Sequence, residues 1–127
     1  MLPLRQFHRI PRLSLEMRPF YDVRNMKTKN ISDASDWFEV LQTTKRTQVA
    51  MMTLAPGKSS GSKPEGHRKS DQVLLVIEGE IEGEIGDDKM TMRKGDFLLI
   101  PAGTKHKFSN RSSADCVTFN TYSPPEY

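Results

Sequence analysis

Four side chains in this 127-residue sequence are of types that bind metals or move protons, and they fall at suggestive positions: Glu65, His67, Gln72 and His106. Glu65 and His67 are two apart, so on an extended backbone both turn to one side. Gln72 can join them from the start of the apolar run that follows. His106 comes after a Pro101-Ala102-Gly103 corner, with Phe108 two residues on and therefore on the same face. A lone histidine is ordinarily structural or solvated. Two histidines at loop–strand junctions, one with polar neighbours in register, point instead to a small β-barrel holding a metal. The third histidine, His8, lies in a stretch without hydrophobic period and carries no such pattern. No Ser-His-Asp or Cys-His arrangement has a usable motif.

The segments that must position these groups read as short strands. Trp37–Leu41 is apolar around Glu39, and Thr47–Leu54 is β-branched and nearly uncharged; Ala55-Pro56-Gly57 stops it. Residues 57–71 form a Gly/Ser/Lys/Pro loop long enough to suspect function. Within it, Lys58–Lys63 superficially matches a phosphate-binding loop, but no GK[ST] leads into a helix, so a solvated loop is expected. Gln72–Ile77 reads as a strand apolar on both faces. Glu80–Ile85 alternates charge with Ile or Gly, as a half-exposed strand does. Gly86-Asp87-Asp88-Lys89 supplies hairpin chemistry, Met90–Met92 a further strand, and Phe97–Ile100 a short buried one. Asp115–Tyr122 is the last strand. About eight short strands with no convincing helix indicate an antiparallel all-β sandwich or barrel. Met51, Met52, Met90, Met92, Phe97, Phe108 and Phe119 are expected in its core or lining, around a small apolar cavity. Glu78, Glu80, Glu82 and Glu84, spaced by two, mark a wet face.

The net charge of +3 divides unevenly. Residues 1–29 hold seven Lys/Arg against two acids, whereas the other 98 residues hold twelve against fourteen. The basic excess therefore belongs to the N-terminal stretch, and it argues against a nucleic-acid partner for the folded body. Residues 1–30 are expected to be a loosely structured extension or an arm on a neighbouring subunit, and 31–127 a single domain. The one cysteine, Cys116, sits in an apolar run and reads as a buried, inert thiol; no disulfide framework or CxxC zinc module is available. No apolar run approaches the roughly 18 residues of a membrane span. A cytoplasmic protein with no membrane partner is the expectation.

The spacing Gly95-x5-Pro101-x-Gly103-x2-His106-x3-Asn110 resembles the second conserved motif of the cupin superfamily at every fixed position. The first cupin motif, Gly-x5-His-x-His-x(3,4)-Glu-x6-Gly, is matched in altered form. Registered on Gly79, it puts Gln72 at the glutamate, His67 at the second histidine, Glu65 at the first and Ser59 at the opening glycine. The resemblance covers roughly residues 37–123. It implies a double-stranded β-helix, a jelly-roll barrel, with a divalent metal (Mn, Fe, Ni or Zn) held by Glu65, His67, Gln72 and His106. In that set one formal negative charge moves from position 72 to position 65, and Gln72 is the weakest donor. The resemblance also implies a small polar organic molecule as ligand or substrate, and a homodimer formed through sheet edges or the N-terminal arm.

Cupins with altered first motifs include metal-free members, and a metal-free domain that binds or senses a small ligand is the alternative. Glu65 would then point to solvent among Lys63, Arg68 and Lys69, and Gln72 would satisfy a buried backbone group. Against this stands the fact that both altered positions carry ligand-type residues.

Overall fold

The computed structural model describes residues 26–127. The basic segment 1–25, including His8 and most of the expected extension, lies outside the described residues. Residues 26–30 are exposed and carry no regular structure. A 3-10 turn, Ile31–Asp33, follows, capped by Asn30, whose Oδ1 accepts from Ser32 N–H while its own N–H donates to Oδ2 of Asp33.

Eight strands come next: β1 (Phe38–Thr43), β2 (Gln48–Leu54), β3 (Asp71–Glu78), β4 (Glu80–Ile85), β5 (Asp88–Arg93), β6 (Phe97–Ile100), β7 (His106–Ser109) and β8 (Cys116–Ser123). They form a five-stranded sheet in the order β1-β2-β8-β3-β6 and a three-stranded sheet in the order β5-β4-β7. All pairings between them are antiparallel. Two such sheets facing one core make the jelly-roll barrel expected from the sequence. No helix among the described residues is long and apolar enough to cross a membrane.

Period-two alternation decides which side chains enter the barrel. On β2, Ala50, Met52 and Leu54 point inward; on β3, Leu74 and Val76 do so; on β8, Cys116, Thr118, Asn120 and Tyr122. Ile81, Met92, Ile100 and Phe108 close the core from the other elements. Cys116 is fully buried, and burial pushes its thiol up to about 11, so it is the inert packing residue expected.

Phe97–Ile100 is not wholly buried. Ile100 is buried, but Phe97 and Leu99 stand 71% and 61% exposed. Leu98 and Ile100 share the inner face with Leu74 and Gln72 of β3, while Phe97 and Leu99 alternate onto the outer face, and the apolar run conceals that difference. Met51 is buried yet alternates with the inward residues of β2 and pairs with the half-buried Phe119 on the outer face. The four glutamates do not share one strand face: Glu78 ends β3 and pairs with Lys94, whereas Glu80 and Glu82 lie on β4 of the other sheet and pair with Arg93 and Arg111.

One glycine is obligatory for the path. Gly79 turns the chain from β3 into β4 at φ +85°, and a Cβ there would collide with the carbonyl oxygen of Asp115.

Candidate metal and ligand site

The strand register assembles one end of the barrel. Gln72 on β3 lies opposite Tyr122 on β8 and Ile100 on β6, and Tyr122 lies opposite Gln48 on β2. On the facing sheet, His106 opens β7 opposite Ile85. The loop before β3 crosses this end as an isolated bridge between Glu65 and His106, with backbone bonds of 3.1 and 3.0 Å in the two directions. A further bond from Gly103 N to His67 O, 2.7 Å, ties the Pro-Ala-Gly corner to the same loop. Gly66 permits this approach: a Cβ at that position would lie 3.1 Å from backbone atoms of Gly103 and Thr104.

The four residues expected from the sequence all line one cavity of about 450 Å³. The two imidazoles face each other with ring centroids 5.1 Å apart. His106 presents Nδ1 to the carbonyl oxygen of Thr104 at 2.9 Å. A carbonyl only accepts, so the neutral ring carries its proton on Nδ1 and its lone pair on Nε2. Nδ1 of His67 lies 3.2 Å from Oε1 of Glu126. Burial lowers the pKa of His106; the Thr104 carbonyl opposes that shift and neighbouring His67 adds to it.

Gln72 is 3% exposed, and its amide orientation is set by a buried polar chain. The hydroxyl of Thr118 donates to Met52 O (2.8 Å), Nδ2 of Asn120 donates to that hydroxyl (3.0 Å), and Nε2 of Gln72 donates to Oδ1 of Asn120 (3.0 Å). Each link fixes the polarity of the next. Oε1 of Gln72 is left over, and it is the only buried side-chain polar atom without a partner among the described residues. A buried carbonyl in that condition costs roughly 1–3 kcal/mol. Glu65 differs from the other three in being exposed. Its side chain lies on the same side of the bridge as His106, but among the described residues no three His, Cys, Asp or Glu side chains converge as a metal group.

The remaining wall is aromatic. Tyr127 packs on Phe38 at 4.8 Å and on Tyr122 at 5.2 Å, and Tyr122 stands edge-on to His67 at 5.1 Å. Burial, followed by the charge of neighbouring Tyr127, drives the Tyr122 phenol far above its ordinary range, so it stays neutral. Tyr122 and Asn120 do have a sequence signal: with Thr118 they form a polar row at period two inside an apolar strand. Glu126 and Tyr127 had no such signal, because they follow Pro124-Pro125 and reach the cavity through tertiary folding alone.

Comparisons with known proteins agree with this architecture. The chain is 32% identical over 92 residues to the uncharacterized protein L612 of Acanthamoeba polyphaga mimivirus, covering 69% of this chain and 56% of that protein. It is 27% identical over 62 residues to quercetin 2,3-dioxygenase of Bacillus subtilis, covering 49% of this chain and 18% of that enzyme. The chain thus spans about half of the first relative and less than a fifth of the second. Among solved structures, BH2720 from Bacillus halodurans superposes with a TM-score of 0.74 at 24% identity, over 85% of this chain and 87% of that one. The model of the cupin domain matches residues 50–122, from the middle of β2 to Tyr122 on β8, and the chain belongs to the cupin family.

Proposed function

We propose that this cupin binds a divalent transition metal between His67, His106 and Gln72, with Glu65 as the rim carboxylate available to the same ion, and that it binds or acts on a small polar organic molecule. The observation that carries the reading is the unpartnered, buried Oε1 of Gln72 in a cavity that also holds two histidines, each with its Nδ1 already engaged by an acceptor. Neutral imidazole nitrogens and an amide oxygen suit Mn, Fe, Ni or Zn. A divalent ion bound there supplies Lewis-acid polarisation of a carbonyl, or activation of water or oxygen. The chain's own residues do the rest. Phe38, Tyr122 and Tyr127 offer flat apolar surface to a planar portion of the molecule, and Lys63 at the cavity lining offers a cation to an acidic one. Similarity to a quercetin dioxygenase, short as it is, supports a planar ligand.

The second reading, a metal-free ligand-binding domain, draws on the exposure of Glu65 and the neutrality of Gln72, which leave the donor set without a buried charge. Elemental analysis of purified protein decides between them. Stoichiometric metal that disappears in His106→Ala establishes the first, whereas metal-free protein with unchanged secondary structure establishes the second. We also propose that the protein works in the cytoplasm as a homodimer. Edge strand β6, with Phe97 and Leu99 exposed, supports pairing of two copies; sedimentation of Phe97→Asp as a monomer, against a dimeric parent, is the expected result.

A further inference from the structure

The last four residues are built into the site by two buried side chains with no other evident duty. Gln48, 1% exposed at the start of β2, accepts from the N–H groups of Glu126 (3.1 Å) and Tyr127 (2.9 Å) through Oε1. Its Nε2 donates to Tyr127 O (2.8 Å) and to Thr43 Oγ1 (3.1 Å), so its hydrogen-bonding capacity is largely spent on this segment. Ser70, also 1% exposed, shares its hydroxyl between Pro124 O (2.6 Å) and Oε2 of Glu126 (3.1 Å). A buried amide and a buried hydroxyl thus hold residues 124–127 as a strap against the cavity, and Tyr127 becomes part of its wall.

The Glu126 carboxylate is the product of this arrangement. One oxygen takes the Ser70 hydroxyl and the other lies 3.2 Å from Nδ1 of His67, with the two side chains only 16% (His67) and 28% (Glu126) exposed. An ion pair on the open surface contributes little. A carboxylate engaged at both oxygens and partly shielded from water can dictate which nitrogen of its neighbour carries the proton.

We infer that Glu126 is a positioning residue: held by Ser70 and by the Gln48-anchored strap, it fixes His67 as the Nδ1–H tautomer and so presents Nε2 to the cavity ligand. Its effect on metal affinity rests on the proposed metal reading; its effect on the tautomer does not. Outer carboxylates on ligating histidines commonly change metal affinity by about 10- to 100-fold, because they fix ring orientation and raise basicity.

The test uses the full chain, metal-free, with 15N-labelled histidine, at a pH about two units above the ordinary histidine value so that the rings are neutral. Long-range 1H–15N correlation spectra report the tautomer of each ring. The wild type is expected to show His67 protonated on Nδ1, and Glu126→Ala to move His67 toward the Nε2–H form while His106 stays unchanged. Glu126→Leu, which keeps bulk but removes the acceptor, carries the same comparison if the alanine variant does not fold. Titration with Zn²⁺ or Mn²⁺ should then show affinity weakened by about 10- to 100-fold in either variant. A wild-type His67 already protonated on Nε2, or a tautomer indifferent to loss of Glu126, overturns the inference. A tautomer that switches in a protein that binds no metal upholds the positioning role and removes the metal reading instead.

Discussion

Nε2 of Gln72 donates to Oδ1 of Asn120 across 3.0 Å, and this bond decides which atom of Gln72 is left for a ligand. Asn120 cannot rotate its amide without losing its own donation to Thr118, whose hydroxyl is committed to Met52 O. The unpartnered oxygen at position 72 is therefore imposed by a chain of donors and acceptors that crosses from β2 through β8 to β3. A cupin that replaces the usual carboxylate by an amide has kept an oxygen donor at that point.

Restoring the carboxylate tests this. Gln72→Glu should tighten divalent metal binding by at least about tenfold, equivalent to about 1.4 kcal/mol. The same change sets a buried carboxylate against Oδ1 of Asn120 and should lower metal-free stability by roughly 1–3 kcal/mol. Metal titration and urea unfolding of both proteins measure the two effects. Unchanged metal affinity would remove Gln72 from the ligand set.

Acid should loosen the site through His106. Burial holds its pKa below 6.5, so the folded ring resists a proton that the unfolded chain accepts. In that window the unfolded state binds more protons, and stability rises with pH. The full contribution is present above 6.5 and is lost as pH falls from there to the depressed folded value. Urea midpoints of the metal-free protein should fall as the pH drops below 6.5, and His106→Gln should flatten part of that slope. Bound metal should leave only below that depressed value, where the folded His106 imidazole takes up a proton; retention unchanged at about pH 4 would sink His106 as a ligand.

Two turn glycines should respond very differently to alanine. Gly86 has φ +58° with open space around a built Cβ, so Gly86→Ala should cost about 1–2 kcal/mol, the ordinary left-handed penalty. Gly79→Ala adds a collision with the Asp115 carbonyl to a φ of +85° and should cost more, with the chain shifting between β3 and β4. Equal losses in thermal or urea unfolding would mean that the close approach to Asp115 is not maintained.

Phe108 links core and site. It is 1% exposed, and its ring lies 5.8 Å from His106. Phe108→Ala should cost about 3–5 kcal/mol. Because the ring also supports His106, metal binding should weaken even under conditions where the variant is still folded. Calorimetric titration on the folded variant checks this; full affinity would show that His106 is held by its Thr104 bond alone.

Much of this protein was determined by local sequence. Alternation along residues 48–54, 72–77, 80–85 and 116–122 produced strands, because the pleat has a period of two whatever lies beside it. The spacing from Gly95 through Pro101-Ala102-Gly103 to His106 and Asn110 carried the resemblance to the cupin barrel, and registering the altered first motif on Gly79 marked Glu65, His67 and Gln72 beside His106. Tertiary structure decided what local pattern cannot contain. Phe97 and Leu99 ended up on the outer face of β6, and Leu98 and Ile100 on the inner one, an orientation set by the register with β3 rather than by the run Phe97–Ile100. The free atom of Gln72 was chosen by Asn120, 48 residues away, and the second partner of Ser70 and His67 came from Glu126, beyond a Pro-Pro step. Hydrogen-bond polarity and sheet order are relations between distant segments, and they exist only once the barrel has closed.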